Sequence, residues 1–356
     1  MATNKRIIRS NDEAAGGASF NTVLYTGNGG TLPVTDVGFE PDFVWIKSRN
    51  DVGSHIITDS VRGNGKEIYP DLTNAEGTLN RISLTYTGFD VNSVSYPNKI
   101  GDTYVAWCWK AGGSAVTNTD GTITSQVSAN PGAGFSVVSW TGNNLANATI
   151  GHGLEDTPKV TIIKKRTSNV YALGWQINLD SSITGSEGYL NFDTSAMYTA
   201  FPNYYTSANS TVLSTNGTDI PERQYNNQLE NYIAYCFAEV AGFSKFGSYS
   251  GIDDTDVKVY TDSNGDGTGT GAFQPRFVMI KLYNNTGGSW AMFDALRDGG
   301  NPTYNLLFAN LANAESTYSN IYGVQFDSDG FTVKGHTGGN DQINETGGSY
   351  IFMAFA

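Results

Sequence analysis

The stretch Pro41-Asp42-Phe43-Val44-Trp45-Ile46-Lys47 returns as Pro158-Lys159-Val160-Thr161-Ile162-Ile163-Lys164. It returns again as Pro275-Arg276-Phe277-Val278-Met279-Ile280-Lys281, with the three lysines equally spaced along the chain. Phe43 and Trp45 point to one side of an extended backbone, Val44 and Ile46 to the other. Apolar residues on both sides predict a strand covered on both faces. Two more blocks travel with this one. Upstream lie Tyr25-Thr26-Gly27, Trp140-Thr141-Gly142 and Tyr249-Ser250-Gly251; downstream lie Tyr104-Val105-Ala106-Trp107-Cys108-Trp109, Tyr232-Ile233-Ala234-Tyr235-Cys236-Phe237 and Tyr350-Ile351-Phe352-Met353-Ala354-Phe355. Three blocks in one order, three times over, are an internal triplication, and a repeat of about 110 residues has the size of a domain.

The 356 residues exceed what one hydrophobic core usually serves. With 42 glycines, 12% aromatic residues and 15% charged residues, the composition fits β structure with tight turns. Turn signals such as Asn28-Gly29, Asn216-Gly217 and Asp329-Gly330 separate the strands. The expected fold is all-β, three tandem β-sandwich domains of jelly-roll type. Residues 1–18 form a polar N-terminal arm, 19–110 the first copy, 111–133 a Gly/Ser/Thr/Asn-rich linker, 134–241 the second copy and 242–356 the third. With that linker, the first copy is expected to be the loosely coupled one. Leu306 to Ser316 is the one segment read as a short helix.

Net charge is −13. That sign repels phosphate backbones and anionic lipid, so neither nucleic acid nor a membrane is an expected partner. Met1–Ser10 lacks an apolar signal core, which places the chain in a cytoplasm. Cys108 and Cys236 occupy the same position of the closing strand in two copies and read as small core residues.

No enzyme signature emerges. His55, His152 and His336 fall at different places in the repeat, and no Gly-x-Ser-x-Gly elbow is present. Asp262, Asn264 and Asp266 follow the first half of a calcium loop, but Phe273 stands where the bidentate Glu belongs, so the run is either a polar turn or a structural calcium site. A second pattern aligns His55, Asp59 and Arg62 with Trp290, Asp294 and Arg297; the second copy keeps Trp175 and Asp180 and loses the arginine. These residues could contact a glycan or acidic ligand, or the Asp and Arg could brace the loop that follows them.

On these residues the chain resembles a module of structural proteins of tailed bacteriophages, many of them marine and often tail-fibre-like. The third copy carries it most clearly, from Gly271 through Trp290, Asn301-Pro302, Gly330-Phe331-Thr332-Val333 and the closing strand. The resemblance implies a non-enzymatic protein on the virion exterior that needs no cofactor, with other virion proteins as partners. It implies a homo-oligomer, threefold by analogy with phage appendages. Within it, a tail-fibre or receptor-binding component would turn loops such as Asn203–Ser207 and Tyr283–Thr286 toward a host-surface glycan. A head-decoration protein would instead grip the capsid through Lys5, Arg6 and Arg9 of the arm. A polysaccharide depolymerase would require carboxylate pairs at repeated positions, and Asp59, Asp180 and Asp294 are each single.

Overall fold

The computed structural model describes residues 19–167, 176–185, 188–200, 208–215, 225–317, 321–336 and 342–356. The chain is nearly all β, built from several antiparallel sheets. Each copy is organised on one long sheet. An opening strand (Phe20–Thr26, Phe135–Thr141, Ser244–Ser250) pairs with the closing strand (Thr103–Trp109, Asn231–Phe237, Ser349–Phe355). The closing strand pairs in turn with the motif strand (Phe43–Ser48, Val160–Lys165, Phe277–Leu282), and that with a flanking strand (Ile56–Asp59, Gln176–Leu179, Ala291–Asp294). The registers are equivalent: Phe43 lies opposite Trp109, Val160 opposite Phe237 and Phe277 opposite Phe355.

Strict alternation sends the two faces of each long sheet into different cores. Val44, Ile46, Tyr104, Ala106 and Cys108 face a core private to the first copy, which the smaller sheet of Thr31–Val34, Gly88–Asn92 and Ile82–Thr85 closes. The second and third copies have private cores of the same kind. The opposite faces, with Phe43, Trp45, Trp107 and Trp109, meet those of the other copies in one shared core. At its centre Trp109, Phe237 and Phe355, the last residues of the three closing strands, form a triangle with ring centroids 6.3, 5.4 and 5.7 Å apart. The first copy is therefore as deeply embedded as the others, contrary to the expectation of loose coupling: Phe20 alone touches Trp109, Phe277 and Phe355. A covalent link counts for little beside buried aromatic surface.

Two local expectations are also corrected. The 111–133 segment contains Val116–Asn118 and Ser125–Asn130, which extend the second copy's sheet beyond its opening strand. Leu306 to Ser316 is not helical: Asn305–Phe308 is a strand, with Leu306 in the private core and Leu307 in the shared one.

The aromatic-hydroxyl-glycine block forms a corner repeated three times. Tyr25 stacks on Tyr104, Trp140 on Tyr232 and Tyr249 on Tyr350, at 4.9, 5.3 and 5.1 Å. Each closing-strand tyrosine hydroxyl accepts from the backbone N–H of Lys99, Asn227 or Glu345. The glycine has no room for a side chain, since a Cβ on Gly27, Gly142 or Gly251 would lie 2.2, 2.2 or 2.4 Å from a carbonyl oxygen. A buried asparagine (Asn98, Asn226 or Asn344) ties the two loops of each corner together.

Candidate functional site

The polar residues singled out in the sequence converge on the seams between copies. Asp59 takes the N–H of Arg62 at 2.8 Å and its Nε at 2.5 Å, while the hydroxyl of Tyr235, from the second copy, donates to the same carboxylate at 2.7 Å. The other face of the Arg62 guanidinium meets Glu76, which also binds Arg166 of the second copy. The seam between the third and first copies repeats this part for part. Asp294 takes the N–H and Nε of Arg297, Trp107 Nε1 donates to Asp294 at 3.1 Å, and Arg297 meets Glu315, which binds Arg49. Each network alternates four charges, joined in the first by Lys66 beside Glu76, and the central Asp and Arg side chains are fully buried. Burial alone would lower the pKa of Arg62 and Arg297, but Asp59 and Asp294 hold both above the ordinary arginine value.

The remaining seam, second copy to third, is apolar at the same positions. Ile183 stands where the arginines stand and is buried in the shared core; Met353 occupies the position of Tyr235 and Trp107. Tyr198 and Tyr283 replace the Glu and Arg, in edge contact at 6.0 Å. Asp180, with no arginine to hold, caps the short helix Ser181–Thr184 and pairs with Lys159. One backbone bond is common to all three seams: Glu76 N–H donates to Arg166 O, Tyr198 N–H to Tyr283 O and Glu315 N–H to Arg49 O, at 3.0, 2.7 and 2.7 Å. The contacts run first to second, second to third and third to first, so the ring is closed head to tail.

His55 and Trp290 also cross seams. Trp45 Nε1 donates to His55 Nδ1, so His55 carries its proton on Nε2 and donates it to Phe308 O of the third copy at 2.9 Å. Burial, reinforced by Lys47, holds His55 well below the usual histidine range, hence neutral. Trp290 Nε1 donates to Asn191 O of the second copy at 3.1 Å. Trp175 lies outside the described residues, as do Lys5, Arg6, Arg9 and the 203–207 loop. His55, Asp59, Arg62, Trp290, Asp294 and Arg297 are all buried and spent on neighbouring copies, so the glycan-contact reading gives way to a structural one. The sequence concealed this because each partner sits on a different copy. The signal was there in the joint change of Arg, Arg, Ile at one position and Tyr, Trp, Met at another.

The lysine that closes each repeated motif, one residue before the end of its strand, has no part in the sequence reading of the site. Lys47, Lys164 and Lys281 are buried, against the usual behaviour of lysine. Lys164 Nζ donates to Thr73 O of the first copy at 3.0 Å; Lys281 Nζ donates to Leu282 O and Gly288 O, and to Ser195 O of the second copy at 3.4 Å. Lys47 donates to Ser48 O at 2.9 Å. Burial lowers all three to about 8. Between that value and the ordinary lysine pKa the unfolded chain binds more protons at each lysine than the folded one, so each lysine contributes stability that rises with pH across the interval. The buried thiols of Cys108 and Cys236 contribute the opposite slope, so the lysine effect is read as a difference between variants. From pH 7.5 to 9.5 the stability of the wild type should gain on that of Lys281→Met by about 1–2 kcal/mol in urea denaturation; parallel pH profiles of the two proteins would exclude the effect.

The Asp262–Gly267 turn is held by its own backbone. Asp262 accepts from the N–H of Gly265 and Gly269, and Asp266 from Thr268. Asn264 donates to the Thr268 hydroxyl. Among the described residues no group of three or more His, Cys, Asp or Glu side chains is placed to hold a metal ion. Cys108 and Cys236 are free and buried, and burial raises both thiols.

The fold is of one class: an all-β chain in which three sheets with the same order of four central strands close a ring around one core. A family model described as Domain of unknown function (DUF7483) matches residues 15–356, and the chain belongs to that family. No curated protein and no solved structure matches it.

Proposed function

We propose that this chain is a non-enzymatic structural component on the exterior of a tailed-phage virion, of the tail-fibre or receptor-binding type, with each copy a β-sandwich of jelly-roll type and the three in tandem. The observation that carries the reading is the convergence of the chain's described ends at one pole of the ring. Lys110 N–H donates to Ser19 O, Ala356 N–H donates to Phe243 O, and the rings of Phe20 and Phe355 lie 5.6 Å apart. The three corners stand at the other ends of the same closing strands. A tether through residues 1–18 to other virion proteins would hold one pole and turn the corner loops outward. Any host-surface glycan would then meet those corners, where Asn284 fastens the Tyr283–Thr286 loop to Gly347 and Ser349. The resemblance to phage structural modules and the burial of the charged residues within the ring support a body that displays rather than reacts.

The test is immunogold labelling of intact particles with antibody against residues 19–356, alongside particles made with a chain lacking residues 1–18. Gold at the tail, lost on deletion, is the expected result. Gold spread over the head would make the chain a decoration protein, and unlabelled particles would remove the virion reading.

A further inference from the structure

The three opening strands differ in how their outer edges are treated. In each, alternate residues bond the closing strand and the rest point outward; in the first copy the outward set is Phe20, Thr22, Leu24 and Thr26. In the second copy the equivalent outward groups, at Val137 and Ser139, pair with Ser128 and Gln126 of the added strand. In the third the edge is guarded by charge: Lys245 pairs with Glu239, and the same carboxylate accepts the outward N–H of Phe246. The first copy has neither device. Its strand, Phe20-Asn21-Thr22-Val23-Leu24-Tyr25-Thr26, carries no charge, and the outward backbone groups of Thr22 and Leu24 have no partner among the described residues. Leu24 stands 37% exposed where the third copy has Ser248. An uncharged edge with its middle groups unpaired among the described residues recruits another strand unless something blocks it; this chain fills the second copy's edge and sets a charged pair against the third's.

We propose that the outer edge of Phe20–Thr26 is an interaction surface for a second copy of this chain, joined antiparallel through the same edge of each. A twofold axis between Thr22 and Leu24 sets the outward groups of one strand opposite those of the other, so the contact is self-complementary and fuses two four-stranded sheets into one. The axis sets Leu24 of one strand against Thr22 of the other and Phe20 against Thr26, so the two edges meet without a charge on either side. The inference stands on the edge alone and is independent of the virion reading.

Sedimentation equilibrium of the full chain, up to about 0.5 mM, should give twice the single-chain mass. Leu24→Lys, which imports the third copy's guard, should weaken the association at least about tenfold. Leu24→Pro removes an outward N–H without touching the chain's own ladder, and should do the same. Unchanged far-ultraviolet circular dichroism in both variants separates loss of association from loss of fold. Single-chain mass throughout the range would overturn the proposal, and so would a dimer indifferent to both substitutions. A dimer that forms only after removal of residues 1–18 would assign the edge to the chain's own N-terminal residues, and would overturn it as well.

Discussion

Arg297→Met should lower the unfolding free energy by about 3–5 kcal/mol, because it leaves two carboxylates in a seam with no cation between them. Asp294 would keep only its bonds from Trp107 and the local N–H groups, and Glu315 would keep only Arg49. Asp294→Asn alone should cost a similar amount by stranding the guanidinium. The double variant should cost clearly less than the sum, with a coupling of about 1–3 kcal/mol, since neither leftover charge then faces an empty position. Nature's version of the repair is already present at the second-to-third seam, where Ile183, Met353 and a tyrosine pair occupy the same places. Urea denaturation of the two single variants and the double variant measures the cycle. Additive losses would mean that the four charges do not act as one network.

Phe355→Ala should cost about 3–5 kcal/mol and should move a single transition. Phe355 packs on Phe20, Trp109, Phe237, Phe243, Phe246 and Phe277, drawn from all three copies. If the copies were beads on a string, truncating a residue of the third would destabilise the third and leave two transitions untouched. With one shared core, calorimetry of the wild-type chain should show one cooperative peak, displaced whole in the variant. A peak that splits, with part of the heat staying at the original temperature, would restore the picture of separable domains.

The triplication and the strands covered on both faces were legible because both are local. A period of two and a repeated string need no knowledge of what lies across space. What covered the second face was not legible: Trp45 and Trp107 read as core residues whether their neighbours come from one copy or three. The same limit governed the Asp and Arg pairs. Asp59 and Arg62 sit three residues apart and were readily seen as a brace, whereas Tyr235, Glu76 and Arg166 complete the arrangement from distant parts of the chain. Ser125–Asn130 passed for linker because an added edge strand needs little apolar surface. Leu306 and Leu307 suggested a helix because two adjacent apolar residues fit a helical face as easily as two opposed cores.

The head-to-tail seams have a consequence for assembly. Every copy offers one donor flank and one receiving flank, and in a ring of three all of them are used within the molecule. A chain lacking the first copy would be left with the Asp294, Arg297 and Glu315 flank of the third and the Tyr235 and Arg166 flank of the second, which match the two sides of a charged seam yet could not meet. Such a chain would find its match only on another chain, and then another, and would grow end to end. The number of copies is thus what separates a finite body from a filament.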